Sequence, residues 1–272
     1  MGAPATRVAF SKMEGCGNDY LLVDGAARAF PISQAGALAR RWSDRHFGVG
    51  ADGLILLTRE PDGALRMSMW NADGSRGAMC GNGLRCFARF AAANGYAETA
   101  QFVVQTDAGP REVELLGTDL VRAAMGEVQV TSPRFVDVAG RRLEFVLGDA
   151  GNPHAVTFVE DVDAAPVHEV GAAMQAHAAF PGGVNVEFVQ VTGADRIRQR
   201  TFERGSGETL ACGTGAAVAA LAARQSGNIR GAATHVGLRG GTLTVVGAGA
   251  SLAIEGPART VFCGEVDLPA SL

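Results

Sequence analysis

Two segments of the chain repeat one pattern, and this repeat constrains the fold more than any other feature of the sequence. The stretches "NADGSRGAMCGNGLRCFARF" and "ERGSGETLACGTGAAVAALAA" each place a cysteine after a glycine-containing turn and before an apolar segment. Their cysteines, Cys80 and Cys212, are 132 positions apart, and Asn71 and Glu203 share this offset. Self-similarity at one offset is the signature of a repeated structural unit.

Two further blocks match in the same order at nearly the same offset. The stretch "GCGNDYLLVDG" resembles "GDAGNPHAVTFVED", with Asn18 opposite Asn152 at an offset of 134, and "GVGADGLILL" falls opposite "PGGVNVEFVQ". Convergent use of glycine would explain one such match, whereas three matches in register favour duplication. We therefore expect two halves, residues 1–124 and 125–262, with the tail 263–272 returning to the first half.

Short segments with a period of two predict strands in both halves. Residues 102–106, 242–246 and 251–255 alternate apolar and other residues, and turn-forming Gly, Asp and Pro separate such segments along the chain. The stretch 32–45 has helical spacing and is expected to lie outside the central helices.

The segments after the two cysteines predict helices. Leu84, Phe87, Ala88 and Ala91 fall on one face at helical spacing, and residues 216–223 are apolar all round, which requires burial on every side. We predict an α/β fold of the α+β type with two pseudo-symmetric halves. Each half is expected to be a curled, mostly antiparallel sheet around a central helix, with the active site in the cleft between the halves.

Composition limits the partners that we expect. The net charge is −4 and no long basic run occurs, which argues against nucleic acid and anionic membranes. No apolar stretch reaches the roughly 18–20 residues that span a bilayer, and "MGAPATRVAF" lacks signal-peptide features, so a cytoplasmic protein is expected. The five cysteines are an odd number without zinc-ligand spacing, which predicts free thiols and no metal.

A cysteine at a helix N-terminus can have a specific chemical role. Backbone N–H groups and the helix dipole favour negative charge there, so they lower the pKa of the thiol and bind anionic ligand groups. Two such thiols facing one carbon atom can remove a proton from one side and return it on the other, which inverts a stereocentre. No cofactor is needed, and the single lysine, Lys12, gives weak support to a Schiff base with pyridoxal phosphate.

The motifs together resemble a known family. "GCGNDYLLVDG", "NADGSRGAMCGNG", "GNPHAV", "NVEFVQ" and "ERGSGETLACGTGA" are similar to diaminopimelate epimerase, in order and across nearly the whole chain. The resemblance implies an isomerase that interconverts LL- and meso-2,6-diaminopimelate, a small-molecule substrate on the route to lysine and peptidoglycan precursors. It also implies a mechanism without pyridoxal phosphate, and a homodimer.

The resemblance assigns roles to particular residues. Cys80 and Cys212 would be the two acid/base thiols, with His154 and Glu203 tuning them. Backbone N–H groups would hold the reacting carboxylate at Gly81, Asn82, Gly213 and Thr214. The distal amino acid end of the substrate would be bound by Asn18, Asn71, Asn152, Asn185 and Arg204. Some family members carry Gln at the position of Gly53, so Gly53 is left out of the site.

Simpler interpretations exist for several of these residues. Asn18, Asn71 and Asn152 stand in turn-like contexts, where asparagine is commonly structural, whereas Asn185 lies in a strand-like segment that disfavours it. Glu203 and Arg204 could be a surface charge pair. The remaining cysteines are interpreted as structural: Cys16, Cys86 and Cys263.

Three alternative functions remain at this stage. The first is a cofactor-independent racemase of proline, glutamate or histidine. The second is a thiol redox protein, and we expect oxidation of Cys80 and Cys212 to a disulfide in air as a liability. The third is a nucleotide-binding module, which the absence of a complete dinucleotide fingerprint or P-loop motif disfavours.

Overall fold

The computed structural model of the protein describes residues 7–269. The described chain divides into two compact units, one of which is continuous in sequence. The second unit is Ala124–Gly256, and the first comprises the described residues up to Ala123 together with those from Pro257 onward. Residues 1–6 and 270–272, which the sequence analysis included in the first half, lie outside the described part.

The C-terminal return to the first unit begins earlier than the sequence analysis expected. Residues 257–262 were assigned to the second half, with a return at Cys263. The last strand instead begins at Arg259 and pairs with the first strand from there, so residues from Pro257 onward belong to the first unit. The alternation of side chains in this segment gave no indication of which unit its backbone pairs with.

The secondary structure is mostly β. The strands are β1 (Arg7–Gly15), β2 (Asn18–Asp24), β3 (Gly53–Arg59), β4 (Leu65–Asn71), β5 (Arg76–Gly77), β6 (Gln101–Gln105), β7 (Arg111–Leu115), β8 (Leu120–Glu127), β9 (Gln129–Val130), β10 (Arg134–Val138), β11 (Arg141–Asp149), β12 (Pro153–Phe158), β13 (Asn185–Gly193), β14 (Arg196–Glu203), β15 (Gly207–Thr209), β16 (Ala233–Leu238), β17 (Gly241–Ala248), β18 (Ser251–Pro257) and β19 (Arg259–Asp267). The helices are α1 (Ala35–Ser43), α2 (Gly81–Ala93), α3 (Val167–Gln175) and α4 (Gly213–Gln225), and a 3-10 turn, Ile32–Gln34, precedes α1.

The two units repeat one order of elements. In the first unit β2 pairs in parallel with β3, β3 is antiparallel to β4, and β4 pairs with β5 and, in parallel, with β6. In the second unit β12, β13, β14, β15 and β16 pair in the same way. One helix lies between the parallel strands (α1 or α3), and a 13-residue helix follows the short strand (α2 or α4). The duplication that the spacing predicts is therefore present in the topology.

The helices that follow the cysteines are buried, as predicted. Leu84, Phe87, Ala88 and Ala91 of α2 are inaccessible to solvent, and so is nearly all of α4 from 216 to 223. Such helices form only in a folded core, because their apolar faces require burial.

The helices α1 and α3 pack on the sheets through smaller clusters. Leu38 and Trp42 of α1 belong to one hydrophobic cluster with Leu54 and Leu56 of β3, while Ile55 of β3 faces α2. The strand β3 is thus covered on both faces, which accounts for its unbroken apolar run. In the second unit, Val170 and Met174 of α3 share a cluster with β13.

Candidate active site

Cys80 lies directly before α2 in the N-cap position. Its backbone is extended (φ −133°, ψ 125°), and its carbonyl accepts a 2.7 Å hydrogen bond from the N–H of Leu84, which starts the helix. Gly81 and Asn82 form the first turn, whose N–H groups have no intrahelical acceptor and whose dipole favours negative charge. The half-buried sulfur therefore sits at a helix end suited to an anion.

Two polar side chains, those of Asn18 and Tyr20, meet at the Cys80 sulfur. Cys80 Sγ lies 3.4 Å from Asn18 Oδ1 and 3.1 Å from the hydroxyl oxygen of Tyr20. Asn82 Nδ2 donates to the same Asn18 oxygen at 3.2 Å, and Asn18 Nδ2 donates to Asp52 Oδ2 at 2.6 Å. The structure thus brings together Asn18, Cys80 and Asn82, as the resemblance implied, and adds Tyr20.

Asn71 makes a different set of contacts. It ends β4 in an exposed position, and its Nδ2 donates to Ser75 Oγ at 2.9 Å within the turn that leads to β5. Its backbone is paired with that of Gly53. These contacts agree with a structural asparagine, so a role of Asn71 in substrate binding stays a prediction.

Cys212 occupies the equivalent place before α4. Its backbone is extended (φ −119°, ψ 110°), and its sulfur accepts a 3.4 Å hydrogen bond from the N–H of Gly215. The hydroxyl oxygen of Thr214 also lies 3.4 Å from the sulfur. Gly213 and Thr214 thus form the first turn of a helix that begins beside a thiol, as Gly81 and Asn82 do in the first unit.

The environment of Cys212 holds its sulfur in the neutral form. Burial raises the pKa of the Cys212 thiol well above its usual range, and the carboxylates of Glu203 and Glu187 raise it further. Hydrogen bonds from Thr214 and from the N–H of Gly215 act in the opposite direction but are weaker. The expectation of a lowered pKa is therefore wrong for Cys212, because burial and two nearby negative charges outweigh the helix terminus.

Glu203 lies close enough to this thiol to affect its ionisation. It ends β14, its carboxylate raises the pKa of Cys212, and it accepts a hydrogen bond from Thr209 Oγ1 at 2.5 Å. Burial is the largest cause that raises the pKa of Glu203, and the carboxylate of Glu187 adds to it. Glu203 is thus part of the Cys212 environment rather than a surface charge pair with its neighbour Arg204.

Arg204 and Asn185 are linked through the backbone. Asn185 is buried at the start of β13, and its Oδ1 accepts a 2.9 Å hydrogen bond from the N–H of Arg204. Its Nδ2 donates to the carbonyl of Pro153 at 3.0 Å, so Asn185 fixes two neighbouring segments. The residue Arg204 is exposed, which leaves its guanidinium accessible to a ligand.

His154 is held between two polar side chains in the interior of the second unit. Its Nδ1 lies 2.8 Å from Glu187 Oε1, and its Nε2 lies 3.0 Å from Asn152 Oδ1. His154 is 1% exposed and Glu187 is fully buried. The ring orientation is therefore fixed from both sides, and His154 reaches the surroundings of Cys212 through Glu187.

The remaining cysteines and the lysine have structural environments. Cys16, Cys86 and Cys263, like the two candidate residues, form no disulfide among the residues that the structure describes. Lys12 Nζ lies 2.7 Å from Asp19 Oδ2 and also donates to the carbonyl of Gly50. Lys12 is thus engaged in a buried ion pair.

Within residues 7–269, no group of three or more His, Cys, Asp or Glu side chains is arranged to hold a metal ion. In the same range, none of the helices combines the length and apolarity needed to cross a bilayer.

Comparison with known sequences places the chain in a family. A family profile described as diaminopimelate epimerase matches residues 10–131 and 146–261. The chain belongs to the diaminopimelate epimerase family. Relatives include the diaminopimelate epimerase of Leptospira biflexa (38% identity, 96% of this chain and 100% of the relative) and that of Aromatoleum aromaticum (41% identity, 95% and 98%).

Solved structures share the fold of this diaminopimelate epimerase family member at much lower identity. A phenazine biosynthesis protein of the PhzF family from Bacillus anthracis has a TM-score of 0.75 at 15% identity, covering 97% of this chain and 100% of its own. A hydroxyproline epimerase from Agrobacterium vitis has a TM-score of 0.72 at 17% identity, covering 97% and 94%. These likenesses support the predicted two-domain α+β fold.

Sequence reasoning missed three residues of this family member's site: Tyr20, Arg85 and Glu187. Tyr20 and Arg85 stand in segments that otherwise form the core, and the apolar periodicity of these segments gave no reason to single them out. A signal was available for Glu187, because an acidic residue in the apolar strand "VNVEFV" needs a buried partner.

Arg85 is a buried cation on α2. It is inaccessible to solvent, and burial lowers the pKa of its guanidinium. Its Nη2 donates to Asn82 Oδ1 at 2.9 Å, and the group also donates to the carbonyls of Gly81 and Pro257, both at 3.3 Å. A positive charge thus lies beneath the first turn of the helix that Cys80 begins.

The Gly53 position is closed to a side chain in the present backbone conformation. A Cβ atom at Gly53 would lie 2.3 Å from the carbonyl oxygen of Trp70 and 3.3 Å from the ring of Tyr20. Real Cβ atoms essentially never come within 3.0 Å of another heavy atom, so a longer side chain requires the backbone to shift. The omission of Gly53 from the site agrees with this geometry.

Proposed function

We propose that this protein is an isomerase that interconverts LL- and meso-2,6-diaminopimelate by proton transfer at the α-carbon. One observation carries the proposal: each unit places a cysteine at the N-cap of a buried 13-residue helix, in a chain of the diaminopimelate epimerase family. The relatives with that name are 38–41% identical over nearly the whole chain. The reaction would be a step in the synthesis of lysine and peptidoglycan precursors.

The chemistry that we propose uses one sulfur as base and the other as acid. Cys80 as thiolate takes the α-hydrogen as a proton and becomes a thiol, and the C–H electron pair stays on the substrate and spreads into the carboxylate. Cys212 then gives its proton to the opposite face of the carbon and becomes a thiolate. Removal and return on opposite faces invert the centre. In the reverse direction the sulfurs exchange roles.

The raised pKa of Cys212 supports its assignment as the acid of the resting enzyme. Burial and the carboxylates of Glu203 and Glu187 keep this sulfur protonated at neutral pH. Cys80 lies near a different set of groups, with the buried Arg85 guanidinium on its own helix. The two environments therefore differ: a nearby cation favours the thiolate at Cys80, the proposed base, whereas burial and two carboxylates favour the thiol at Cys212, the proposed acid.

The substrate carboxylate next to the reacting carbon would be bound by helix N-termini. The first N–H groups of α2 and α4 belong to Gly81, Asn82, Gly213 and Thr214, and such groups stabilise the negative charge that develops on deprotonation. We propose that Asn18, Asn71, Asn152, Asn185 and Arg204 bind the distal ammonium and carboxylate. The exposed Arg204 suits a carboxylate, which a guanidinium can bind through two hydrogen bonds.

The activity test is direct. Purified protein is incubated with LL-diaminopimelate in deuterium oxide, and the formation of the meso isomer and deuterium uptake at the α-carbon are followed by chiral chromatography and mass spectrometry. Cys80→Ser and Cys212→Ser are each expected to lose most turnover, whereas Cys263→Ser, an exposed thiol, retains it. Near-normal turnover by either of the first two variants contradicts the two-base scheme.

The same assay distinguishes the proposed epimerase from a racemase of another amino acid. Proline, glutamate and histidine are offered to the wild-type protein under identical conditions. A site built for a distal ammonium and carboxylate rejects substrates that lack them, because its polar groups would stay unpaired. Rapid racemisation of one of these amino acids without turnover of diaminopimelate overturns the proposed function.

The homodimer and the cytoplasmic location are further proposals carried by the family resemblance. An apolar strip on β19 supports a contact between copies, since Val261 and Phe262 are 57% and 46% exposed. Light scattering after size-exclusion chromatography would show a dimer that Val261→Asp shifts toward monomer. A wild-type monomer at assay concentrations contradicts the dimer, and recovery of the protein in a membrane fraction contradicts the location.

A further inference from the structure

Tyr20 presents a hydroxyl group inside the Cys80 half-site. It is the third residue of β2 and is 4% exposed, so its ring belongs to the core while its hydroxyl reaches the site. Two glycines border the ring: a Cβ at Gly53 would lie 3.3 Å from Cε1, and a Cβ at Gly83 would lie 3.4 Å from Cε2. The ring therefore fills a slot between these two glycines, tightly at Gly53 and with room for an ordinary van der Waals contact at Gly83.

The hydroxyl has two acceptors within reach. Its oxygen lies 3.1 Å from Cys80 Sγ and 3.0 Å from Asn18 Oδ1, and its single hydrogen serves one of them at a time. Asn18 Oδ1 has two lone pairs, one of which receives Asn82 Nδ2 at 3.2 Å. The second lone pair is available either to Tyr20 or to the thiol hydrogen of Cys80, whose sulfur lies 3.4 Å away.

We propose that Tyr20 is a positioning residue that donates its phenolic hydrogen to the Cys80 sulfur when that sulfur is a thiolate, and to Asn18 when Cys80 carries the proton. The proposal rests on the proposed role of Cys80 as an acid/base thiol. The hydrogen stays on the phenol oxygen in both arrangements, so no covalent bond is broken. Because hydrogen bonds to a charged acceptor are the stronger ones, the donation stabilises the base form of Cys80.

Other charged and titratable groups surround this half-site, and each stays unchanged in the experiment. Arg85 and Cys86 lie on α2 itself, where both interact electrostatically with Cys80. Glu14 faces Arg85 from β1, as does Cys16 from the following turn. Asp52 reaches the site through its hydrogen bond to Asn18.

The test is the pH dependence of Cys80 alkylation by iodoacetamide in Tyr20→Phe. Trypsin cuts after Arg76 and Arg85, so the peptide 77–85 carries Cys80 alone and its modification is read by mass spectrometry. Loss of the donor is expected to move the alkylation midpoint upward by about one pH unit. Tyr96→Phe, the matched control, removes the hydroxyl that donates to Asp24 and leaves the midpoint unchanged.

A purely structural role gives a different result. Tyr20→Phe keeps the ring in its slot, so the thermal unfolding temperature is expected to stay close to that of the wild type. Lower stability together with an unchanged midpoint overturns the proposal. As a second measurement, 3-fluorotyrosine is incorporated in the Tyr96→Phe background, where Tyr20 is the single labelled site. The more acidic phenol is a better donor and should move the midpoint downward, and an unchanged midpoint again overturns the proposal.

Kinetics with diaminopimelate complete the test. Tyr20→Phe is expected to lower kcat in the direction that uses Cys80 as base and to move the acidic limb of the pH profile upward, with KM nearly unchanged. The alkylation midpoint needs no substrate. If the wild-type protein fails to turn over diaminopimelate, the proposed function fails while the Tyr20 hydrogen bond is still tested. If turnover occurs and the midpoint does not move, Tyr20 alone is excluded.

Discussion

The Nδ1 atom of His154 lies 2.8 Å from a carboxylate oxygen of Glu187, and neither side chain is accessible to solvent. The same carboxylate oxygen would lie 2.4 Å from a Cβ at Gly215 in the first turn of α4, so Glu187 packs against the helix that Cys212 begins. A buried carboxylate is thus placed between a histidine and the N-terminus of α4, and it contributes to the protonated state of Cys212.

Glu187→Gln tests this contribution. The variant keeps the shape of the side chain but removes one of the two negative charges that raise the pKa of Cys212. We expect the pH midpoint of Cys212 alkylation to fall by roughly one unit at most. The tryptic peptide 205–224 carries Cys212 alone and reports its modification. Glu144→Gln, on an exposed position of β11, serves as control, and an equal shift in both variants would refute the explanation.

Arg85→Gln tests the buried cation beneath Cys80. Glutamine retains hydrogen-bonding capacity near Asn82 but removes the positive charge that favours a thiolate. We expect the alkylation midpoint of Cys80 to rise, measured on the peptide 77–89, which now carries both Cys80 and Cys86, so fragmentation in the mass spectrometer must assign the modified thiol. Arg89→Gln, one turn further along α2, should leave the midpoint in place. A midpoint that does not move in Arg85→Gln shows that the guanidinium acts through structure alone.

Gly53→Ala tests the closed position at the start of β3. The added Cβ would lie 2.3 Å from the Trp70 carbonyl oxygen, and relief of this contact requires movement of β4. Overpacking of this kind is expected to lower the free energy of unfolding by roughly 1–3 kcal/mol. Urea denaturation would measure this decrease. Gly117→Ala is the control, since a Cβ there meets open space. Equal stability of Gly53→Ala and the wild type would contradict the contact.

The stability of the protein is expected to fall at alkaline pH. Burial raises the pKa of Cys86 to about 12, and it also raises the pKa of Cys16 and of Cys212. Thiols of the unfolded chain have a pKa of about 8.5. Above that pH the unfolded state binds fewer protons than the folded state, so stability decreases as the pH rises toward the folded-state pKa values.

Cys86→Ala isolates one of these thiols. Between about pH 9 and pH 11, each buried thiol steepens the loss of unfolding free energy by at most about 1.4 kcal/mol per pH unit. Urea denaturation at several pH values should therefore show a shallower slope in Cys86→Ala than in the wild type. Cys263→Ala, an exposed thiol, keeps the wild-type slope. An identical slope in all three proteins would show that Cys86 ionises equally in both states.

The repeat made the topology predictable from the sequence. Spacing placed Cys80 and Cys212 before helices, and the apolar periodicity of "GLRCFARFAA" and "AAVAALAA" identified their buried faces. These features are local, because a glycine-containing turn and the helix behind it are encoded within some 15 residues. The return of β19 was placed too late because strand pairing depends on a partner some 245–260 positions away, as between Glu14 and Arg259 and between Arg7 and Asp267.

For the candidate site, the placement of the two thiols before helices was predictable and their surroundings were less so. The pKa of Cys212 depends on Glu187, which stands in another strand, and on complete burial, and neither follows from the helix N-terminus alone. Tyr20 resembles a core residue in sequence, because its ring is indeed core and only its hydroxyl reaches the sulfur. Polar atoms at the end of apolar side chains are the part of a site that periodicity does not reveal.

The pairing of β19 with β1 has a consequence for the order of synthesis. Arg7 stands opposite Asp267, and the Arg85 guanidinium donates a hydrogen bond to the carbonyl of Pro257, so the first unit, which holds Cys80, combines segments that are translated far apart in time. The second unit, which holds Cys212, is continuous in sequence and can fold while translation continues. The first unit is complete only after β19 has been translated, so the nascent polypeptide can form the surroundings of Cys212 before those of Cys80.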